Sequence, residues 1–131
     1  GHRSPYTRLS WTACCPTPRC TLTVDDRIYV GHMLETASKV LRIVENKTRA
    51  DYDQDETLRL ALTHLVQVIG EASRLVSKQF RDQHARVPWD DIAGMRHRIV
   101  HDYLRVDEDI VWKTVTEDLP SLITLLQQAL A

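Results

Sequence analysis

Glycine and proline are scarce, at 4 and 5 among 131 residues, and aromatic residues make up only 6%. A β-sandwich needs tight turns and strands rich in aromatic side chains, so this supply argues against one. No apolar run approaches the roughly 18 residues of a membrane span, and no secretory h-region stands near the N-terminus. The chain therefore reads as cytoplasmic, with no membrane contact. Cys14, Cys15 and Cys20 form no C-x-x-C pair and leave an odd count, poor spacing for zinc; they read as free thiols. What is there instead is 43% hydrophobic and 27% charged residues, the balance of one ordinary globular domain. Leu, Ala, Arg, Val and Glu dominate its long stretches, which points to helices.

Acidity is also missing from one end. Residues 1–24 carry Arg3, Arg8 and Arg19 and no acid, so residues 25–131 hold 14 basic against 18 acidic groups, a net −4. That balance excludes a generic polyanion binder and leaves room only for a local basic patch. Residues 74–105 supply a candidate, with Arg74, Lys78, Arg81, Arg86, Arg96, Arg98 and Arg105 against Asp82, Asp90, Asp91 and Asp102. The same charges also suit a solvated helix surface.

Three prolines, three cysteines and no sustained period mark residues 1–24 as an irregular extension. Gly1-His2 has the look of a cleaved tag, and Val24 is what an internal GTG start would spell. The extension is expected to be dispensable, leaving 25–131 as the domain.

From Asp25 onward Val30, Met33, Leu34, Ala37, Val40, Leu41 and Val44 recur at steps of three and four, predicting a helix over about 25–47. Asn46 to Asp55 breaks the pattern. A second helix is predicted from about Glu56 to Phe80, with Gly70 placed to let a neighbour approach closely. Pro88-Trp89-Asp90-Asp91 opens a third, to about Leu104, and Asp107-Glu108-Asp109 a fourth, interrupted near Pro120, which lacks a backbone donor. Short connections make this an all-α, antiparallel up-and-down bundle of four main helices, with no sheet.

The segment GMRHRIVHDYLRV holds the unusual chemistry. At about 100° per residue from Ile92, Arg96 falls at about 40°, among Met95, Ile99 and Tyr103 on the apolar face. A cation there needs a partner, such as Glu71, or an interface. His97 and His101 are spaced i, i+4. As a metal pair they are half a site, lacking the glutamate of H-E-x-x-H. As an acid/base pair they suit proton transfer near neutral pH, with Arg96 to stabilise an anionic transition state, which is what RNA cleavage by its own 2′-hydroxyl requires. As a third reading they are solvated surface residues. On an ideal helix Arg96 and His101 diverge by about 140°, so a symmetric dimer that faces two such helices across a groove would reunite them. Arg98, Asp102 and Arg105 read as an outer ion-pair row, with Arg98 and Arg105 available to RNA phosphates.

Arg96, His101 and Tyr103 spell R-x-x-x-x-H-x-Y, with the polar His97 after the arginine, and this resembles the signature of the HEPN superfamily. The surroundings resemble its HepT-like branch: GEA at 70–72, PWDDIAGMR at 88–96, HDYLRVD at 101–107, IVW at 110–112 and DLP at 118–120. The ordered set covers nearly all of residues 25–131. His97 departs from the Asn common among HepT-like members. The resemblance implies a homodimeric, metal-independent ribonuclease that needs no cofactor and serves as the toxin of a type II toxin–antitoxin pair. Its antitoxin would be a minimal nucleotidyltransferase that adenylylates Tyr103. Arg96 and His101 would be catalytic and His97 would assist. The competing class is a non-catalytic helical module that binds nucleotide or supports dimerisation, an option the net negative domain favours.

Overall fold

The computed structural model describes residues 25–102 and 105–131. The extension 1–24, with its three cysteines, lies outside them. Helix α1 (Asp26–Val44) starts where the Asp25 carboxylate accepts the Arg27 N–H at 2.9 Å. It stops three residues short of expectation because Asn46 turns left-handed, at φ 62°, a conformation Asn tolerates better than most residues. The polar stretch read as a break holds a short helix, α2 (Arg49–Gln54). Thr48 and Asp51 form a reciprocal capping box at its start, and the two Thr48 bonds hold the Asp51 carboxyl below its ordinary range.

Helix α3 (Glu56–Leu75) buries Leu58, Leu62, Val66 and Ile69 on one stripe. The expected continuation to Phe80 does not occur. Val76 turns extended and Ser77 caps a separate helix, α4 (Lys78–Gln83), by accepting the Phe80 N–H at 3.1 Å. Ser77 also donates its backbone N–H and its hydroxyl to the two oxygens of Asp26, at 2.7 and 2.6 Å. Because this joins the end of α3 to the start of α1, the two helices run antiparallel.

The third predicted helix is two short ones. Helix α5 (Trp89–Ala93) and helix α6 (Met95–Ile99) meet at Gly94, and the chain then turns extended. Residues expected as the last turns of a helix form a small antiparallel ribbon instead, β1 (Val100–Asp102) with β2 (Arg105–Val106). Val100 and Val106, β-branched and paired across the ribbon, favour a pleated pair over a helical turn. Helix α7 (Glu108–Lys113) follows, capped by Asp107. A π-helical turn, Thr114–Asp118, then leads into α8 (Leu119–Leu130), whose first turn contains Pro120. The interruption anticipated near Pro120 is this widened turn: proline offers no N–H to the carbonyl four residues back, so the hydrogen-bond register shifts.

Helix α1 packs chiefly on α3 and α8. Arg27 Nη2 donates to the Leu130 carbonyl at 2.6 Å, tying the start of α1 to the end of α8 and making that pair antiparallel as well. The shared core contains Met33, Leu62, Ile69, Leu119 and Leu126, each fully buried and each worth about 2 kcal/mol on transfer from water. The result is an all-α bundle carrying one small ribbon. Gly70 serves the close approach expected of it: a Cβ there would stand 3.1 Å from the Ile92 carbonyl of α5. Tyr52 of α2 is fully buried against Trp112, with centroids 5.2 Å apart, and among the described residues its hydroxyl has no hydrogen-bond partner. Burial pushes that phenol up to about 12.

Candidate active site

Helix α6 is five residues long and two-sided. Met95 and Ile99 point into the core, whereas Arg96, His97 and Arg98 are exposed. Its orientation is set from below, since Ile92, Met95 and Ile99 belong to the same core as Ile69 of α3. The sequence expectation placed Arg96 on the apolar face. Met95 and Ile99 keep the core side that the wheel gave them, and it is Arg96, at the edge of that stripe in a helix of only five residues, that stands in solvent instead. Arg96 makes no ion pair or hydrogen bond among the described residues. The partner considered for it, Glu71, faces Arg74 of its own helix at 3.7 Å.

The end of α6 at Ile99 separates His97 from His101. The i, i+4 relation between them is therefore not a shared helix face, and the half-site reading of a metal pair loses its geometric basis. His101 lies on β1, at its irregular point. Val100 pairs with Val106 and Asp102 with Arg105, so His101 is the residue on β1 with no counterpart on β2. A bulge of this kind tilts a side chain out of the regular alternation of a strand. The calculated 140° divergence of Arg96 and His101 thus does not apply to the folded chain; the two stand on different elements either side of the α6–β1 junction. No direct bond joins them among the described residues.

Arg98 donates Nη2 to the Asp91 carbonyl at 2.9 Å, bracing α6 against α5. It also lines a groove of about 380 Å³ with Met95, Lys113, Glu117 and Leu122. The row expected of Arg98, Asp102 and Arg105 along one helix face required a helix through residue 105, and α6 ends at Ile99. Arg105 is exposed on β2. Tyr103, the expected modification site, lies outside the described residues. Arg96, His97 and His101 line neither the 380 Å³ groove nor the clefts of about 590 and 520 Å³ elsewhere on the molecule, so they present themselves on open surface.

One contact went unread in the sequence. His101 Nε2 stands 3.8 Å from Asp107 Oδ2. Asp107 was visible only as an acidic helix entrance, and its Oδ1 does cap α7, accepting the Ile110 N–H at 3.1 Å. Its backbone N–H also donates to the Ile99 carbonyl at 2.7 Å, closing the ribbon onto the end of α6. The missing signal was the strand: six residues after His101 is a near neighbour only if the chain doubles back between them.

A protein-family profile described as "Ribonuclease HepT-like" matches residues 33–129. Among curated proteins, "Putative RNase TTE0752" of Caldanaerobacter subterraneus subsp. tengcongensis is 34% identical over 96 residues, covering 73% of this chain and 86% of its own. "Putative RNase MJ1380" of Methanocaldococcus jannaschii is 30% identical over 98 residues, 75% of this chain and 90% of its own. "Probable ribonuclease HepT" of Thermococcus cleftensis is 36% identical over 93 residues, 68% and 84% respectively. No solved structure matches this chain. Among the described residues no helix is long and apolar enough to cross a membrane. The profile spans most of the described bundle together with α6, the ribbon and Asp107, and the chain belongs to the ribonuclease HepT-like family.

Proposed function

We propose that this protein is a metal-independent RNA endonuclease of the cytoplasm, the toxin of a type II toxin–antitoxin pair. The carrying observation is that the family match runs through a surface-presented arginine, Arg96, and a bulge-mounted imidazole, His101, on adjoining elements. In this reading His101 takes the proton of an RNA 2′-hydroxyl as its oxygen attacks the adjacent phosphorus. The P–O5′ bond breaks, His101 passes the proton it took to the departing 5′-oxygen, and a 2′,3′-cyclic phosphate remains. Arg96 stabilises the charge on the phosphoryl oxygens and His97 assists. Arg98 and Arg105 provide weaker contacts to neighbouring phosphates.

A homodimer completes the site in this proposal. Open surface around Arg96 and His101 excludes little water, and a second copy related by a two-fold axis turns two such surfaces into one groove. The partner of the pair is a minimal nucleotidyltransferase that transfers AMP from ATP to the Tyr103 hydroxyl, releasing pyrophosphate. Each AMP adds about one negative charge where an RNA phosphate must bind.

RNA degradation by wild type and by His101→Ala, each with excess EDTA, tests the enzymatic reading. Wild type should cleave in EDTA and leave cyclic ends, DNA should survive, and His101→Ala should lose about a hundredfold or more. Undiminished cleavage by His101→Ala, or abolition of wild-type cleavage by EDTA, would overturn this mechanism, and a wild type that leaves RNA intact would favour a non-catalytic helical module.

A further inference from the structure

We infer that Asp107 is a positioning residue for His101, holding the imidazole so that one ring nitrogen faces the carboxylate and the other is left for the RNA; this rests on the ribonuclease reading above. Asp107 is anchored twice, once through its backbone and once through its side chain. Its backbone N–H is bound to Ile99 O, and Oδ1 is committed to the Ile110 N–H as the cap of α7. Oδ2 is the oxygen the cap does not use, and it is the one that faces His101 Nε2, at 3.8 Å. The Asp107 side chain is 31% exposed and that of His101 55%, so the acid is the better fixed member of the pair.

A bulge frees His101 from strict strand alternation, and a freed side chain on open surface has several rotamers available. Catalysis needs one of them. An imidazole that gives its Nε2–H to a carboxylate presents Nδ1 as an acceptor, the form able to take a proton from a 2′-hydroxyl. The present separation of 3.8 Å is too long for a hydrogen bond, and an approach of about 1 Å makes it one, a tightening usual when substrate binds. Asp107 thus does two jobs with two oxygens, one starting a helix and the other orienting a base.

Serine replaces aspartate well as a helix N-cap but is too short to reach the ring, so Asp107→Ser separates the two jobs; Asp107→Asn keeps the reach and loses the charge. Asp107→Ser should melt within about 2 °C of wild type, with kcat on RNA lowered ten- to a hundredfold and KM unchanged, and Asp107→Asn should fall between. In a His101→Ala background the same serine should cost nothing further, because the group it orients is gone. Nitrogen-15 spectra should show the His101 Nε2 resonance displaced in Asp107→Ser while those of His32, His64 and His84 stay in place. Wild-type kcat in Asp107→Ser, an equal loss in the His101→Ala background, or an unmoved Nε2 resonance would each overturn the assignment. A wild-type protein that leaves RNA intact would instead sink the ribonuclease reading, and the ring resonance would still decide whether Asp107 holds His101.

Discussion

Gly70 and Gly31 make a matched pair for measuring what one close approach costs. Both lie inside long helices, α3 and α1, where replacing glycine by alanine gains up to about 1 kcal/mol of helix stability. A new Cβ at Gly31 meets nothing within 4 Å, whereas at Gly70 it meets the backbone carbonyl of Ile92 at 3.1 Å. That carbonyl has little room to yield. Trp89 and Ile92 of α5 are both buried, and Trp89 Nε1 is bonded to the His84 carbonyl at 3.0 Å, so moving the oxygen means moving the helix. Overpacking of this kind costs about 1–3 kcal/mol. Gly31→Ala should therefore stabilise by about 0.5–1 kcal/mol, and Gly70→Ala, after its own propensity gain, should destabilise by about 1 kcal/mol. For a folded region of this size about 1 kcal/mol corresponds to about 4 °C in Tm, so the two variants should melt about 6–8 °C apart. Parallel calorimetry reads the difference directly. If Gly70→Ala melts at or above Gly31→Ala, the α3–α5 contact is not tight and the reasoning fails.

Tyr52→Phe should stabilise the protein by about 1 kcal/mol in urea titrations, since it removes a buried hydroxyl that has no partner. The phenol's raised pKa, about 12 against 10.0, implies stability present below pH 10 and lost as pH rises toward 12; Tyr52→Phe should shed that alkaline loss, and an unchanged alkaline limb would count against it. Asp51 has the opposite sign: its lowered pKa means its contribution is present above the ordinary 3.8 and lost as pH falls below it, so Asp51→Asn should flatten the acid limb of a pH–Tm curve. On the proposed function, Tyr103→Phe co-expressed with a minimal nucleotidyltransferase should stay toxic and gain no mass corresponding to AMP; efficient neutralisation of that variant would place control elsewhere. A protein lacking residues 1–23 should fold and cleave as the full chain does, checked by circular dichroism and the same RNA assay.

The long helices were legible because each buries one uninterrupted stripe: Val30, Met33, Ala37 and Val40 on α1, and Leu58, Leu62, Val66 and Ile69 on α3, all proved to be core. Gly70 was legible for the same reason, as a helix interior avoids glycine unless something needs the space. Where elements fell short of expectation, local chemistry outweighed the period. Asn46 could adopt a left-handed turn and Ser77 could start a new helix by capping it, and neither a backbone angle nor a capping bond is visible to an apolar pattern. The candidate site suffered most. Ile99, Val100, Tyr103 and Val106 fit a helical stripe and an extended ribbon about equally, and spacing alone does not arbitrate over so short a run. The residue types at Arg96, His97 and His101 could be picked out, but the facing directions derived for them depended on a helix that ends at Ile99. Asp107 escaped for the same cause.

The ribbon that carries His101 has two residue pairs, fewer than a hairpin needs to stand alone, and the Asp107–Ile99 backbone bond and the packing of Val100 tie it to the bundle beside it. Its opening free energy therefore belongs to the low end of the molecule's range, far below that of the α1–α3–α8 core. Damage to the ribbon and damage to the core will show up in different experiments. Substitutions there can silence the protein while leaving its calorimetric transition in place, and amide exchange at Asp107 will report the loss when melting does not. A collection of inactive variants sorted by thermal stability would accordingly fall into two groups, and the group that still melts like wild type is where activity is lost without forfeiting the fold.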